Sequence, residues 1–197
     1  KGSVEAILKT VAPYTEREPD TASESTMVQA GLRSLGRLRD PAALPALIQF
    51  LDQPYWARFA ADALGELGDE RAVPALIDEC GAKGTRNAIV FSAGFEESSE
   101  GQALAVQLAE AARRHGVTVI GPNCQGLWSV RQRAMLTYSP AAMNLDHARH
   151  APIAIVSQSG ALAGALCGSL HRSGLGCSYM VSVGNESVFD ALDALEW

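Results

Sequence analysis

A fourteen-residue segment that occurs twice in the first half of the chain constrains the fold more than any other feature. LGRLRDPAALPALI, Leu35 to Ile48, returns as LGELGDERAVPALI, Leu64 to Ile77, 29 positions later with nine of fourteen residues identical. A unit this short cannot bury its apolar face alone, so copies must stack on one another as a helical array. Each copy reads as two short helices. Met27 to Leu38 and Trp56 to Leu67 carry apolar residues at steps of three and four, as in Phe59, Ala60, Ala63, Leu64 and Leu67, which makes one buried stripe. Asp40 before Pro41 is an N-cap followed by a proline at the first helical position, and Asp69 takes the same place in the second copy. The second helices are expected at Ala42 to Leu51 and Arg71 to Cys80, with Pro45 and Pro74 in the first turn, where a missing N–H costs little. Val4 to Val11 reads as a partial earlier copy, with the polar stretch Tyr14 to Thr26 as an enlarged loop. Tyr55 and Trp56, at a helix start, are the aromatics of this region that could face a ligand; core packing is the stronger expectation.

Composition limits what the array can be part of. Of 197 residues, 47% are apolar and 19% charged, with a net charge of -6, which suits a globular chain. No apolar run approaches the roughly 20 residues a membrane span needs, and Lys1 to Thr10 lacks a signal-peptide layout. The expectation is a soluble, cytoplasmic protein. Cys80, Cys124, Cys167 and Cys177 lie far apart, with no CxxC and no histidine at a zinc-ligand spacing, so reduced thiols are expected and neither a disulfide framework nor a metal. Residues 1–80 hold 8 Lys/Arg against 13 Asp/Glu, and residues 81–197 hold 8 against 9. Neither half has the basic excess of a nucleic-acid binder.

From about Asn87 the pattern changes. AIVFSAGF, Ala88 to Phe95, is a short apolar run closed by glycine, as in a buried parallel strand. Ser98 and Ser99 are candidate caps for a helix to His115, with Gly101 a weak point and Gly116 at its C′ position. VTVIGPNCQG, Val117 to Gly126, is a second buried strand, completing a βαβ unit. After an irregular stretch, Gln132 to His150, a strand at Ile153 to Val156 leads through Ser157 to Gly160 into a helix, Ala161 to Ser173, with Gly174 as its exit. CSYMVSVGNES is another strand and glycine turn, and Val188 to Trp197 begins a last helix. This half is α/β.

Ligands of open α/β sheets bind at the carboxyl ends of the strands, where the turns GPNCQG, SQSG and VGNES fall. SQSG is the most informative. Two hydroxyls and a glycine at a helix start bring unpaired N–H donors, the positive dipole end and side-chain donors to one spot, an anion site suited to phosphate. The competing reading, of equal weight, is that Ser157 or Ser159 only caps the helix.

Two resemblances follow from these residues. The repeat is similar to the HEAT-like repeats of phycobilisome lyases and many scaffolding proteins, which implies a solenoid with a protein partner on one face. AKGTRNAIVFSAGFEESSEG, HGVTVIGPNCQG, PIAIVSQSGALAGAL and VSVGNES, in this order and spacing, resemble the nucleoside-diphosphate-forming acyl-CoA synthetases, relatives of the succinyl-CoA synthetase alpha subunit. The implied organisation is an all-α HEAT-like repeat over residues 1–80, a partial CoA-binding Rossmann-like βαβ over 81–130 and the start of a flavodoxin-like CoA-ligase domain over 151–197. The family reaction passes phosphate between a nucleotide and an acyl group through a phosphohistidine, after which CoA takes the acyl group. The resemblance places Asn123 and Cys124 near the thiol of coenzyme A, Ser157, Ser159 and Gly160 around the phosphate, and Asn185 and Glu186 at the border of the same site.

Two departures from the family pattern bear on activity. Repeat helices stand where that family has the first strand and glycine-rich loop of its Rossmann domain, and His115, His147, His150 and His171 lie in no SHTGA-like phosphohistidine segment. The expectation is a chimeric fragment with a site for coenzyme A and for phosphate or nucleotide, and no complete catalytic cycle alone; a separate reading is a half-enzyme that a complementary ligase subunit completes. The alternative is an interaction scaffold, or a designed chimera, without enzymatic activity. AVPALIDECGAKG, Ala72 to Gly84, fits both parents and is expected to join them. Incomplete sheets leave edges, so the βαβ units are expected to merge into one sheet or to pair between chains as a homo-oligomer.

Overall fold

The computed structural model describes residues 2–96, 98–139 and 150–196. The chain separates into two compact units with the boundary between Lys83 and Gly84.

The first unit is wholly helical: α1 (Gly2–Val11), α2 (Ala22–Leu38), α3 (Leu44–Leu51), α4 (Ala57–Leu67) and α5 (Val73–Ala82). The two aspartates cap as their sequence position requires, Asp40 accepting from Ala42 N–H at 3.0 Å and Asp69 from Arg71 N–H at 3.1 Å. Each caps a short 3-10 turn, Pro41–Ala43 or Glu70–Ala72, so the α-helices begin two residues later than the periodicity suggests, with Pro45 and Pro74 near their starts. The expected long loop is shorter than Tyr14 to Thr26. Ala12–Thr15 is a 3-10 turn, and α2 starts at Ala22 because Thr21 accepts from Glu24 N–H at 3.2 Å.

The repeat explains the packing. Val28, Leu32 and Leu35 of α2, Leu47 and Phe50 of α3, and Ala60, Ala63 and Leu64 of α4 form one core. Trp56 is fully buried against Tyr14, Tyr55 and Phe59, while Tyr55 is half-exposed and its hydroxyl meets that of Ser25 at 3.0 Å. The leucine–glycine pair of each repeat is used unequally. A Cβ on Gly36 would strike the backbone of Ala63, so glycine there lets α2 and α4 touch; the equivalent position, Gly65, faces open space.

Among the described residues the second unit contains two sheets. β1 (Asn87–Ile89) pairs in parallel with β2 (Thr118–Ile120), and α6 (Ser99–His115) connects them. Ser98 caps α6 by accepting from Gly101 N–H at 3.0 Å, and Gly116 ends it at φ 65°. Gly101 is not a weak point. Its missing Cβ would collide with the carbonyl of Gly94 and with Phe95, so glycine there lets the helix seat on the preceding turn.

The second sheet runs β4-β3-β6-β5, with β3 (Gly126–Ser129), β4 (Ala134–Thr137), β5 (Ala154–Ser157) and β6 (Tyr179–Ser182). β5 and β6 are parallel and linked by α7 (Gly160–Arg172); β3 and β4 form an antiparallel hairpin, and β3 pairs antiparallel with β6. Trp128, Ile155, Ala163, Cys167, Cys177 and Met180 fill the space between α7 and this sheet. The last described helix is α8 (Ala191–Glu196).

Two expectations change. The stretch from Gln132 is not irregular at its start, since Ala134–Thr137 is a strand; residues 140–149, His147 among them, lie outside the described residues. Among the described residues the βαβ units do not merge either: β1 pairs with β2 alone, while β5 and β6 join the β3–β4 hairpin in a separate sheet.

Candidate functional site

The three turns singled out in the sequence lie far apart along the chain. Parallel pairing of β5 with β6 puts the ends of both strands side by side, and Val183 N–H donates to Ser157 O at 3.0 Å. The turn after β2 reaches the same place through backbone contacts. Asn185 N–H donates to Pro122 O at 2.9 Å, and Gln125 N–H donates to the buried hydroxyl of Ser182 at 3.0 Å. Gly184, at φ 64°, sits so close to Pro122 and Asn123 that a Cβ would overlap their backbone atoms. Gly160 does the same against the side chain of Gln125. GPNCQG, SQSG and VGNES are therefore one surface.

The expected site residues take distinct places on and under that surface. Asn123 is exposed at φ 55°, its N–H donating to Ser92 O at 2.8 Å. Cys124 is buried, its thiol 3.4 Å from Val90 O and 3.7 Å from Ile120 O, and burial raises its pKa. It therefore holds its turn against β1 and β2 and does not present a thiolate. Ser159 is the N-cap of α7, accepting from Leu162 N–H at 3.2 Å, and the Ser157 hydroxyl accepts from Ser159 N–H at 3.1 Å. The two readings of these serines are compatible. A hydroxyl that accepts from the backbone keeps its own hydrogen to donate, and the N–H groups of Gly160 and Ala161 find no acceptor among the described residues. Glu186, at φ 57°, closes one side: its carboxylate accepts from Gln158 Nε2 at 2.5 Å and from Ala191 N–H at 2.9 Å. Asn185 stands beside it, half-buried.

What sequence reasoning missed is the role of Gln125 and Ser182, which tie the first turn to β6. The donor is the Gln125 backbone N–H, which any residue but proline supplies, so the residue type at that position gives no signal for it. His115 ends α6, His171 lies in the last turn of α7 and His150 is exposed. Among the described residues no group of three or more His, Cys, Asp or Glu could hold a metal ion. No described helix is long and apolar enough to cross a membrane.

A cavity of about 1130 Å³ lies elsewhere in the second unit, between β1, α6 and the β3–β4 hairpin and under residues 187–196, and none of the seven expected site residues lines it. Its lining carries donors of its own, among them Arg113, Thr118 and Tyr179.

Comparison with known proteins bears on both units. Residues 21–92 match the HEAT repeats, and residues 150–197 match the succinyl-CoA ligase like flavodoxin domain. ADP-forming acetate–CoA ligase I of Archaeoglobus fulgidus is 40% identical over 132 residues, which is 64% of this chain and 18% of that protein. The alpha subunit of ADP-forming acetate–CoA ligase I of Pyrococcus furiosus is 38% identical over 130 residues, 64% of this chain and 26% of the subunit. Over those residues this chain is similar to ADP-forming CoA ligases. It spans about a fifth to a quarter of the length of these two relatives. Among solved structures, an acetyl-coenzyme A synthetase 1 of Ca. Korarchaeum cryptofilum is similar at TM-score 0.58 and 34% identity, over 64% of this chain and 26% of that one, both as the apo form and in complex with phosphate and ADP. The α/β part with its parallel β5–β6 pair is flavodoxin-like, and the part before it is helical and HEAT-like.

Proposed function

We propose that the second unit binds a phosphate-bearing ligand, coenzyme A or phosphate itself, where its three turns meet, and that it serves as one segment of an acyl-CoA synthetase reaction. The observation that carries this reading is the convergence of Asn185 on Pro122 and of Val183 on Ser157, which sets the start of α7 beside the turn holding Asn123. Ser157 and Ser159 donate their hydroxyl hydrogens, Gly160 and Ala161 their N–H groups, and the α7 dipole adds a positive field. Asn123 and Asn185 offer amides at the rim, and Cys124 keeps the rim in place from below. Glu186 limits the negative charge the cradle tolerates, and its two donors, Gln158 and Ala191, hold it in one position. A structure of a relative in complex with phosphate and ADP supports the choice of ligand class.

His115, His150 and His171 stand in no motif that would carry a phosphoryl group. The phosphorylated group reaches the cradle from another polypeptide segment or from a complementary subunit, in keeping with a relative described as a subunit alpha. On this reading the three turns bind and orient but do not complete a turnover. Calorimetry with coenzyme A and, separately, with inorganic phosphate tests it. Saturable heat that is lost in the double variant Ser157→Ala, Ser159→Ala and kept in Asp69→Ala is expected; no heat from the folded chain contradicts it.

A second reading concerns the first unit alone. Gly65 is bare where its repeat-mate Gly36 receives a helix, which favours a scaffold that docks a partner helix on α4. Gly65→Trp would then weaken partner capture without unfolding the unit.

A further inference from the structure

The sequence keeps the four cysteines apart, but the fold brings two of them together. Cys167, in the middle of α7, and Cys177, two residues before β6, face each other with sulfurs 3.9 Å apart. Both are buried, at 3% and 7% exposure, in the cluster formed with Trp128, Ile155, Ala163 and Met180. Among the described residues no other cysteine sulfurs are in contact; Cys80 is half-buried and the Cys124 thiol is directed to backbone carbonyls.

We propose that Cys167 and Cys177 are an oxidisable dithiol pair that closes to an intramolecular disulfide when the protein meets a peroxide. A disulfide needs its sulfurs about 2.05 Å apart, so the pair must close by about 1.9 Å. The thiolate of Cys177, the more exposed of the two, attacks a peroxide oxygen and releases hydroxide, becoming a sulfenic acid. The Cys167 sulfur then attacks the sulfenyl sulfur, the S–O bond breaks and water leaves. In sum, two thiols and one hydrogen peroxide give one disulfide and two waters; the sulfurs lose two electrons and the peroxide gains them. Burial first, and then the neighbouring Cys177 thiol, push Cys167 up to about 12. That makes it the second participant and makes closure slower than oxidation of an exposed thiol. The bond would tie α7, which begins at the Ser159 cap, to β6, which leads into Gly184. It would fix two of the three turns of the candidate site relative to each other.

The test uses the full chain, treated with hydrogen peroxide, quenched with catalase, then denatured and alkylated with N-ethylmaleimide. Trypsin cleaves after Arg149 and Arg172, so the two cysteines fall in consecutive peptides, His150–Arg172 and Ser173–Trp197. The expected product is one cross-linked pair of these peptides, about 2 Da lighter than their sum, that separates on reduction. It should persist in Cys80→Ser and vanish in Cys177→Ser. Full alkylation of both cysteines under conditions that oxidise Cys80, or their recovery as separate sulfinic acids, would overturn the proposal. The wild-type peptide map decides by itself if Cys177→Ser does not fold.

Discussion

Replacing Gly184 by alanine probes the contact on which the candidate site depends. Two costs add at this position. A non-glycine residue in the left-handed region costs about 1–2 kcal/mol, and φ here is 64°. The new Cβ also overlaps Pro122 O and comes within 2.9 Å of Asn123 C and O, backbone atoms that cannot step aside singly. Overpacking of that kind adds about 1–3 kcal/mol, for a total of roughly 2–5 kcal/mol. Gly174→Ala is the control, because Gly174 has φ 75° but a Cβ added there would meet nothing within 4 Å, leaving only the conformational cost of about 1–2 kcal/mol. Hydrogen exchange read by mass spectrometry on peptides covering β6 and the turn after it reports the opening of this unit separately from the helical one. At about 1.4 kcal/mol per tenfold, Gly174→Ala should raise exchange there by roughly 5- to 30-fold, and Gly184→Ala by about 30-fold or more. Equal effects of the two substitutions would mean that the turns do not press together.

Three other outcomes follow from the same structure. Glycine-to-alanine changes in two helices should have opposite signs: Gly65→Ala, facing open space in α4, should stabilise by about 1 kcal/mol, whereas Gly101→Ala, against Gly94 O, should destabilise by about 1–3 kcal/mol in urea unfolding. Asp40→Ala and Asp69→Ala should each cost about 1 kcal/mol by the same assay, since each removes an acceptor from a cap. The Glu24 carboxyl is held down to about 2, first by the Asp20 N–H at 2.8 Å and then by Arg17 and Tyr14. Its folded value lies below its unfolded one, so its contribution to stability is present above about pH 4.5 and is lost as pH falls toward 2. Carboxyl titration by NMR should show that low midpoint, and Glu24→Gln should flatten the acid limb of stability; an ordinary midpoint would refute the network.

The legible parts of the fold were those governed by near neighbours in the chain. Asp40 and Asp69 cap because their carboxylates reach an N–H two residues on, and that geometry travels with the sequence. The same logic was available at Thr21 and Glu24, a threonine three residues before a glutamate, and would have placed the start of α2 correctly. The hairpin of β3 and β4 was not legible, because four-residue strands show too little alternation and owe their existence to the exposed edge of β6. Gly101 looked like a flaw in a helix because its reason is the carbonyl of Gly94 in a preceding turn. The candidate site divides in the same way. SQSG announces itself as a helix start, but its meeting with Pro122 and Gly184 depends on strand pairing between distant parts of the chain, and so does the approach of Cys167 to Cys177 on their own smaller scale.

The most direct test is a titration of the isotope-labelled chain with coenzyme A, followed by amide NMR. Saturable shifts confined to Asn123, Ser159, Gly160, Ala161 and Asn185 are predicted, with the helical unit silent. Shifts that instead cluster on residues lining the larger cavity, such as Ala88 and Thr118, or no shifts at all from a folded chain, would contradict the assignment of the ligand to the three turns.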